Sequence, residues 1–279
     1  AHNEDISSAG TLTILPEIIL ISPSEGTVGT WVTVKGNGYK ASEEIHIGFG
    51  LVPTITTTSA DNIGSWTAYF TVNAQSLGTT TITAVGMNSS QAVTKCEFKI
   101  IPQLTAVNPP QGSVGTIVNL SGNGYQANEL VRIDFGTTIS ITIVSATAFG
   151  DFATTFTIDT QPYGTTTIVV TGVTSQNPAY LTFCITSNIV LITSKEGTVG
   201  TIITVRGNGY GASRTIRLEF GTTPTIQLTS TYAEGSFTTT FTIDTQQYGQ
   251  TTIVAHGDDQ QIQAEGTLTI LPNIILITP

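Results

Sequence analysis

Charge is the first thing this chain has little of. Asp, Glu, Lys and Arg make up 10% of its 279 residues, and only nine are basic. Gripping a phosphate polymer takes clustered cations that release counterions; no such cluster occurs here, which excludes nucleic acid as a partner. Cysteine is almost absent, and Cys96 and Cys184 fit neither a disulfide framework nor a zinc site. His2, His46 and His256 are the only histidines, and no nucleophile, base and orienting acid fall together, so neither enzymatic activity nor a cofactor is expected. The longest apolar runs, around residues 17–21 and 273–277, are strand-length, so no transmembrane segment is expected. No basic start leads into an apolar stretch like a signal peptide, and mature or internal sequence of an exported protein is the expectation.

What is present in excess is threonine, with 53 residues beside many Val and Ile. Branched side chains suit a pleated surface, and the strong helix formers are comparatively few, so the chain reads as all-β. A formal charge of −10 spread over a hydroxyl-rich surface suits a place outside the cell. Such a surface loses little on carboxylate protonation, so tolerance of acid is also expected.

Self-similarity dominates the sequence. GTVGTWVTVKGNGYKAS (26–42), GSVGTIVNLSGNGYQAN (112–128) and GTVGTIITVRGNGYGAS (197–213) start 86 and 85 residues apart. Each leads to a Phe-Gly pair, at Phe49-Gly50, Phe135-Gly136 and Phe220-Gly221. Two further blocks recur, GSWTAYFTV, GDFATTFTI and GSFTTTFTI, then GTTTITAVG, GTTTIVVTG and GQTTIVAHG.

Alternation sets Ile45, Ile47 and Phe49 on one face, and likewise Trp66, Phe70 and Val72, or Phe152, Phe156 and Ile158. About seven strands per repeat of roughly 85 residues is the pattern of an immunoglobulin-like sandwich. The expected organisation is a terminal strand of a preceding unit at 1–15, immunoglobulin-like domains at 16–101, 102–187 and 188–271, and the first strand of a following unit at 272–279. No Gly/Ser linker separates the domains, which predicts a stiff head-to-tail rod.

The two ends repeat each other. GTLTILPEIILISP (10–23) matches GTLTILPNIILITP (266–279), with Pro16 and Pro272 lying 256 residues apart, three repeat lengths. Either the chain is a window of a longer array, or spare strands insert into neighbouring subunits. An unpaired apolar strand needs a partner, so Leu12, Ile14, Ile18, Ile19, Leu20, Ile274, Ile275, Leu276 and Ile277 are candidate polymer contacts, and the expected partner is the chain itself, as homopolymer or tandem array.

Gly-(Ser/Thr)-Val-Gly-Thr, then Gly-Asn-Gly-Tyr, Phe-Gly and a Gly-Ser-Phe turn resemble the IPT/TIG-like domains of prokaryotic surface proteins, across all three copies. The resemblance implies an immunoglobulin-like sandwich used for surface display, adhesion or fibre building, at an extracellular or cell-surface site. Tyr39, Tyr125 and Tyr210 stand where that family more often has Phe.

The remaining residues support structure more than chemistry. Gly36-Asn37-Gly38 reads as a turn whose glycines supply positive φ, since no helix follows to make a phosphate loop. His46 is replaced by Arg132 and Arg217 in the other copies and should face solvent, as should the Glu43–Glu44 pair, which has no counterpart pair. Glu4, Asp5, Asp258 and Asp259 are candidate calcium ligands near a domain junction. Cys96 shares a face with Phe98 and Ile100 and should be buried; Cys184 should point outward, where it could cross-link subunits. Asn88 and Asn119 head N-glycosylation patterns. Most aromatics fall on inward positions and Trp31 is the exception, a platform for a glycan or for lateral contact. The leading expectation is a structural subunit of an extracellular filament or surface layer; an adhesin or carbohydrate-binding module and a spacer of a larger secreted enzyme are the alternatives.

Overall fold

The computed structural model describes residues 10, 12–89, 93–258 and 262–273, with the side chains of 93 and 94 left aside. The chain is all-β and folds as three tandem sandwiches, each a three-stranded sheet against a five-stranded one. The first contains β1 (Glu17–Ser22), β2 (Glu25–Gly26), β3 (Trp31–Asn37), β4 (Glu44–Phe49), β5 (Val52–Ser59), β6 (Trp66–Thr71), β7 (Gly78–Gly86) and β8 (Val93–Ile100). Its sheets run β1-β3-β6 and β2-β8-β7-β4-β5. The second contains β9 (Gln103–Asn108), β10 (Gln111–Gly112), β11 (Ile117–Asn123), β12 (Leu130–Phe135), β13 (Thr138–Ser145), β14 (Phe152–Thr157), β15 (Gly164–Gly172) and β16 (Pro178–Ile185). The third contains β17 (Asn188–Ile192), β18 (Glu196–Gly197), β19 (Ile202–Asn208), β20 (Thr215–Phe220), β21 (Thr223–Ser230), β22 (Phe237–Thr242), β23 (Gly249–His256) and β24 (Gln263–Ile270). The eighth strand per repeat, beyond the seven expected, is the two-residue β2, β10 or β18, which pairs in parallel with the last strand of its own sandwich.

Alternation places the core as read. Ile45, Ile47 and Phe49 are buried, as are Trp66, Phe70 and Val72. Phe49 lies 5.1 Å from Phe70 and 5.7 Å from Phe98, joining the two sheets. Phe135 repeats the arrangement with Phe156 and Phe183 at 5.1 and 5.5 Å. In the third sandwich Phe220 keeps Phe241 at 5.0 Å, and Leu268 fills the place of the third ring. Truncating one such ring to alanine costs about 3–5 kcal/mol.

The glycine motifs have local causes. In Gly-Thr-Val-Gly-Thr, Thr27 N–H donates to Thr30 Oγ1 at 3.0 Å while Gly29 N–H donates to Val72 O at 2.8 Å, closing the turn into β3. Gly-Asn-Gly is only half the positive-φ turn expected. Gly38 has φ +82°, but Gly36 is inside β3, where a Cβ would sit 2.5 Å from the Trp66 ring and 2.6 Å from Glu17 O. The first glycine of the motif is there for close packing.

By compactness the chain divides into two units. One holds the residues up to Gln103 together with 123–129 and 146–151; the other holds 104–122, 130–145 and everything from 152 on. Two residues separate β8 from β9 and two separate β16 from β17, so the junctions carry no slack sequence. Among the described residues no helix is long and apolar enough to cross a membrane.

Candidate functional site

The feature with functional character is a contact built twice from equivalent residues. It starts at a glutamine in the loop before β7, β15 or β23, buried as Gln75 and Gln161 in the first two copies and half-buried as Gln246 in the third. Gln161 Nε2 donates to Asp159 Oδ1 at 2.9 Å and to Phe135 O and Thr138 Oγ1 at 3.3 Å. Its Oε1 accepts from the N–H and hydroxyl of Thr137, both at 3.3 Å. Gly136, at φ +55°, makes room for that oxygen, since a Cβ there would lie 2.3 Å from it. Gln246 repeats the set with Asp244, Phe220, Thr222 and Thr223. The first copy has Leu51, Val52 and Asn73 in place of the two threonines and the aspartate, and Gln75 is 9% exposed against 1% for Gln161.

Two residues past the glutamine, a backbone N–H reaches a tyrosine carbonyl. Within the first unit, Leu77 N–H donates to Tyr125 O at 2.8 Å. Within the second, Tyr163 N–H donates to Tyr210 O at 3.0 Å. The receiving tyrosine is itself locked. Tyr210 N–H donates to Gly235 O at 3.0 Å, its hydroxyl donates to Ala255 O at 3.3 Å, and its ring meets Phe237 edge-on at 5.3 Å. Tyr39 likewise donates its hydroxyl to Ala84 O at 3.0 Å. Burial pushes the Tyr210 phenol well above its ordinary value, so it stays a neutral donor.

Glycines let the backbones meet. At Gly235, φ +75°, a Cβ would lie 2.1 Å from Tyr210 O and 2.9 Å from Pro162 Cα. At Gly150, φ +80°, it would lie 2.1 Å from Tyr125 O and 3.1 Å from Ser76 Cα. The linkers are held the same way. Gly124 and Gly209 would place a Cβ 2.6 Å from Ile101 O and 2.3 Å from Thr186 O.

Sequence reading had noted Phe-Gly and Gly-Asn-Gly-Tyr but not what they serve. The overlooked signal was the recurring Asn/Asp-x-Gln, at Asn73–Gln75, Asp159–Gln161 and Asp244–Gln246, a polar triplet whose glutamine is buried in the first two copies. Such buried polar groups are the informative exceptions.

Other expectations meet the structure as follows. Glu43 is not on a solvated face: it is 1% exposed, and it has a counterpart in buried Glu129. Its carboxylate accepts from the backbone N–H of Lys40 at 3.0 Å, Asn88 at 2.8 Å and Ser89 at 2.5 Å. Burial works against the charge, but Ser89 and the Lys40 and Asn88 amides outweigh it and hold the carboxyl below its ordinary value. The third copy has Arg214 there. Its N–H turns instead to Thr231 Oγ1 at 2.8 Å, and that hydroxyl reaches Gly211 O at 2.6 Å. Glu44 is exposed, and His46 lies on the outer side with its Nε2 3.3 Å from Glu44 Oε1.

Glu4, Asp5 and Asp259 lie outside the described residues. Asp258 is exposed and pairs with Arg214 at 3.4 Å, and among the described residues no group of three His, Cys, Asp or Glu could hold a metal ion. Cys96 is half-buried rather than fully buried, packed at the edge of the first core, and burial pushes its thiol up to about 11. Cys184 is also half-buried, because it sits between β10 and β15, opposite Gln111 and Thr165. Asn88 and Asn119 are exposed, and Asn119 Nδ2 already donates to Asn108 O at 3.2 Å. Trp31 is not the lone outward aromatic. Tyr69, Phe149, Tyr163, Tyr180, Tyr232 and Tyr248 are also exposed, and Trp31 stacks on Tyr69 with ring centres 6.0 Å apart and planes 18° from parallel.

Of the candidate polymer contacts, Ile274, Ile275, Leu276 and Ile277 lie outside the described residues. Ile18 is turned inward, packed against the core of its own sandwich. Leu12 and Ile14 are 89% and 73% exposed, and Ile19 and Leu20 are exposed as well.

The family model for a macroglobulin-like domain matches residues 102–185. A search of curated proteins finds no match. Among solved structures the chain is similar to a tetra-tandem repeat in the extending region of a large adhesion protein, with 15% identity over 91% of this chain and 74% of that one, TM-score 0.28. It is also similar to the BSP domain of a biofilm-associated protein (9% identity, 93% and 66% covered, TM-score 0.25). A third is invasin, a bacterial integrin-binding protein (17% identity, 94% and 61% covered, TM-score 0.29). The chain thus spans between 61% and 74% of the length of these structures.

Proposed function

We propose that this chain is a load-bearing repeat segment of an extracellular filament or surface layer of a prokaryote, continued head to tail through β-strand continuity or exchange. The observation that carries the reading is the junction made twice with equivalent parts: a loop N–H, two residues past the glutamine, onto a tyrosine carbonyl, with glycines at each close approach. Short linkers and a repeated interlock resist bending and pass tension from one sandwich to the next. Negative-stain electron microscopy of cell-surface material, with antibody against the chain, tests the assignment. Labelled periodic filaments or sheets are expected; label confined to dispersed, non-periodic material would overturn it.

A second reading rests on the Trp31–Tyr69 pair, two exposed and nearly parallel rings on the outer side of β3 and β6. Flat aromatic faces suit the apolar face of a sugar ring, so an adhesive glycan contact on the first sandwich is the alternative. A glycan array probed with the wild type and Trp31→Ala decides it, and no signal on any glycan removes this reading.

A further inference from the structure

The glutamine loop is wired more heavily in two of the sandwiches than its course requires. In the first sandwich Gln75 bonds to Asn73 at 3.1 Å, beside the apolar Leu51 and Val52, and the loop still brings the Leu77 N–H to Tyr125 O at 2.8 Å. The second sandwich has two hydroxyls and a carboxylate at those places, Thr137, Thr138 and Asp159, and the third has Thr222, Thr223 and Asp244.

What these groups surround is one amide. Thr138 Oγ1 donates to Asp159 Oδ2, and Asp159 Oδ1 accepts from Gln161 Nε2 at 2.9 Å, so a single carboxylate spans a hydroxyl and the amide nitrogen. Thr138 Oγ1 also stands 3.3 Å from that nitrogen, as does Phe135 O. The amide has two hydrogens for these three acceptors, so one of the two oxygens at 3.3 Å is in contact without a full bond. On its other side the amide oxygen faces two donors, the N–H and hydroxyl of Thr137 at 3.3 Å, placed as an oxyanion would need them. Gln161 is 1% exposed, which keeps bulk water away.

We propose that Thr138 and Gln161 join in an intramolecular ester, with Asp159 as the base. Asp159 Oδ2 takes the hydroxyl proton while Oγ1 adds to the Gln161 amide carbon, and the Thr137 donors hold the charge that develops on Oε1. The same carboxylate then passes the proton to Nε2, the C–N bond breaks with its electron pair on nitrogen, and ammonia leaves. One O–H and one C–N bond are exchanged for one C–O and one N–H bond, with no oxidant or co-reactant, and the hydrogen bonds above are those of the unreacted site. The link ties the start of β13 to the loop before β15 across 23 positions, so β13 and β14 cannot be drawn out without breaking a covalent bond. Thr223, Asp244 and Gln246 repeat the arrangement, but Gln246 is half-buried, so hydrolysis competes there. The proposal concerns each sandwich by itself and stands apart from the filament reading.

Mass spectrometry of the full chain tests this, after unfolding and digestion with chymotrypsin, which cuts between the two residues at Phe149, Phe152 and Phe156. Wild type should yield two peptides joined at Thr138 and Gln161, lighter than their sum by one ammonia and separated by mild alkali, which opens esters and leaves amides. The joined peptides are the readout because Asn-Gly pairs such as Asn123-Gly124 also shed ammonia, but without linking anything. A link at Thr223 and Gln246 is expected in lower yield, and the peptide holding Gln75 should keep its full mass. Thr138→Val should lose the link, Thr138→Ser should keep it, and Asp159→Asn, which retains a polar group but no base, should form it about a hundredfold or more slowly. The wild-type map needs no variant to fold. Separate recovery of the wild-type Thr138 and Gln161 peptides at unmodified mass overturns the proposal, as does a link that persists in Thr138→Val or forms at the wild-type rate in Asp159→Asn.

Discussion

Gly64, Gly150 and Gly235 offer a measurement of the junction free of most confounding terms. All three hold φ between +75° and +80°, and at all three a Cβ would fall 2.1 Å from the carbonyl of the preceding tyrosine. Alanine at any of them therefore carries the same local penalty, about 1–2 kcal/mol for the left-handed backbone plus displacement of that carbonyl. At Gly150 and Gly235 alone, the added carbon also meets the neighbouring loop, 3.1 Å from Ser76 Cα and 2.9 Å from Pro162 Cα. Moving the Tyr210 carbonyl then breaks the 3.0 Å bond from Tyr163 as well, worth about 1 kcal/mol. Gly235→Ala should thus cost about 1–2 kcal/mol more than Gly64→Ala once the lost loop contact is included. Hydrogen exchange read by mass spectrometry resolves each sandwich, which a global melt of three coupled domains does not. The Tyr163 amide should lose protection in Gly235→Ala while the β15–β16 ladder keeps it. Equal costs at Gly64 and Gly235, with the Tyr163 amide still protected, would refute the interlock.

Three further outcomes follow from named contacts. Gln161→Ala should destabilise its sandwich by about 2–3 kcal/mol, because Thr137, Thr138, Asp159 and the Phe135 carbonyl all lose a partner, whereas Gln75→Ala, with the single 3.1 Å bond to Asn73, should cost about 1 kcal/mol; urea titration followed by hydrogen exchange compares them. The lowered carboxyl of Glu43 means the unfolded chain binds its proton more readily, so its contribution is complete above the ordinary value of 4.5 and drains away as pH falls below it. Trp31 and Trp66 are the chain's two tryptophans and both belong to the first sandwich, so tryptophan fluorescence should show Glu43→Gln less stable than wild type at neutral pH and the difference shrinking on acidification. Thr231→Ala strips the third sandwich of both the Arg214 N–H and Gly211 C=O contacts and should cost about 1–2 kcal/mol by the same exchange assay.

Much of the architecture could be read from residues alone because period-two alternation and a repeat of about 85 residues are global patterns. Phe49, Phe135 and Phe220 declared the core, and Gly-Asn-Gly-Tyr marked the turn where β3, β11 and β19 end. What escaped was polar and deep. Glu43 looked like one of two surface carboxylates because its ligands, the amides of Asn88 and Ser89, come from a loop more than forty residues away. Its replacement in the third copy by Arg214 hid the site further, since Thr231 stands there against Ala60 and Ala146 in the other copies and takes over the hydrogen bonding. Gly36 was read through conformational freedom when proximity to Trp66 was the cause. Outward tyrosines could not be told from inward ones without register, and Tyr163 gains meaning only once its N–H is seen to meet the Tyr210 carbonyl.

The proposed function depends on each sandwich being coupled to the next. Backbone 15N relaxation of the intact chain measures this directly, by asking whether the sandwiches reorient together. One anisotropic diffusion tensor shared by all three is the result expected from the interlock at Tyr125 and Tyr210. Separate, faster tensors for individual sandwiches, as for beads on flexible tethers, would contradict it.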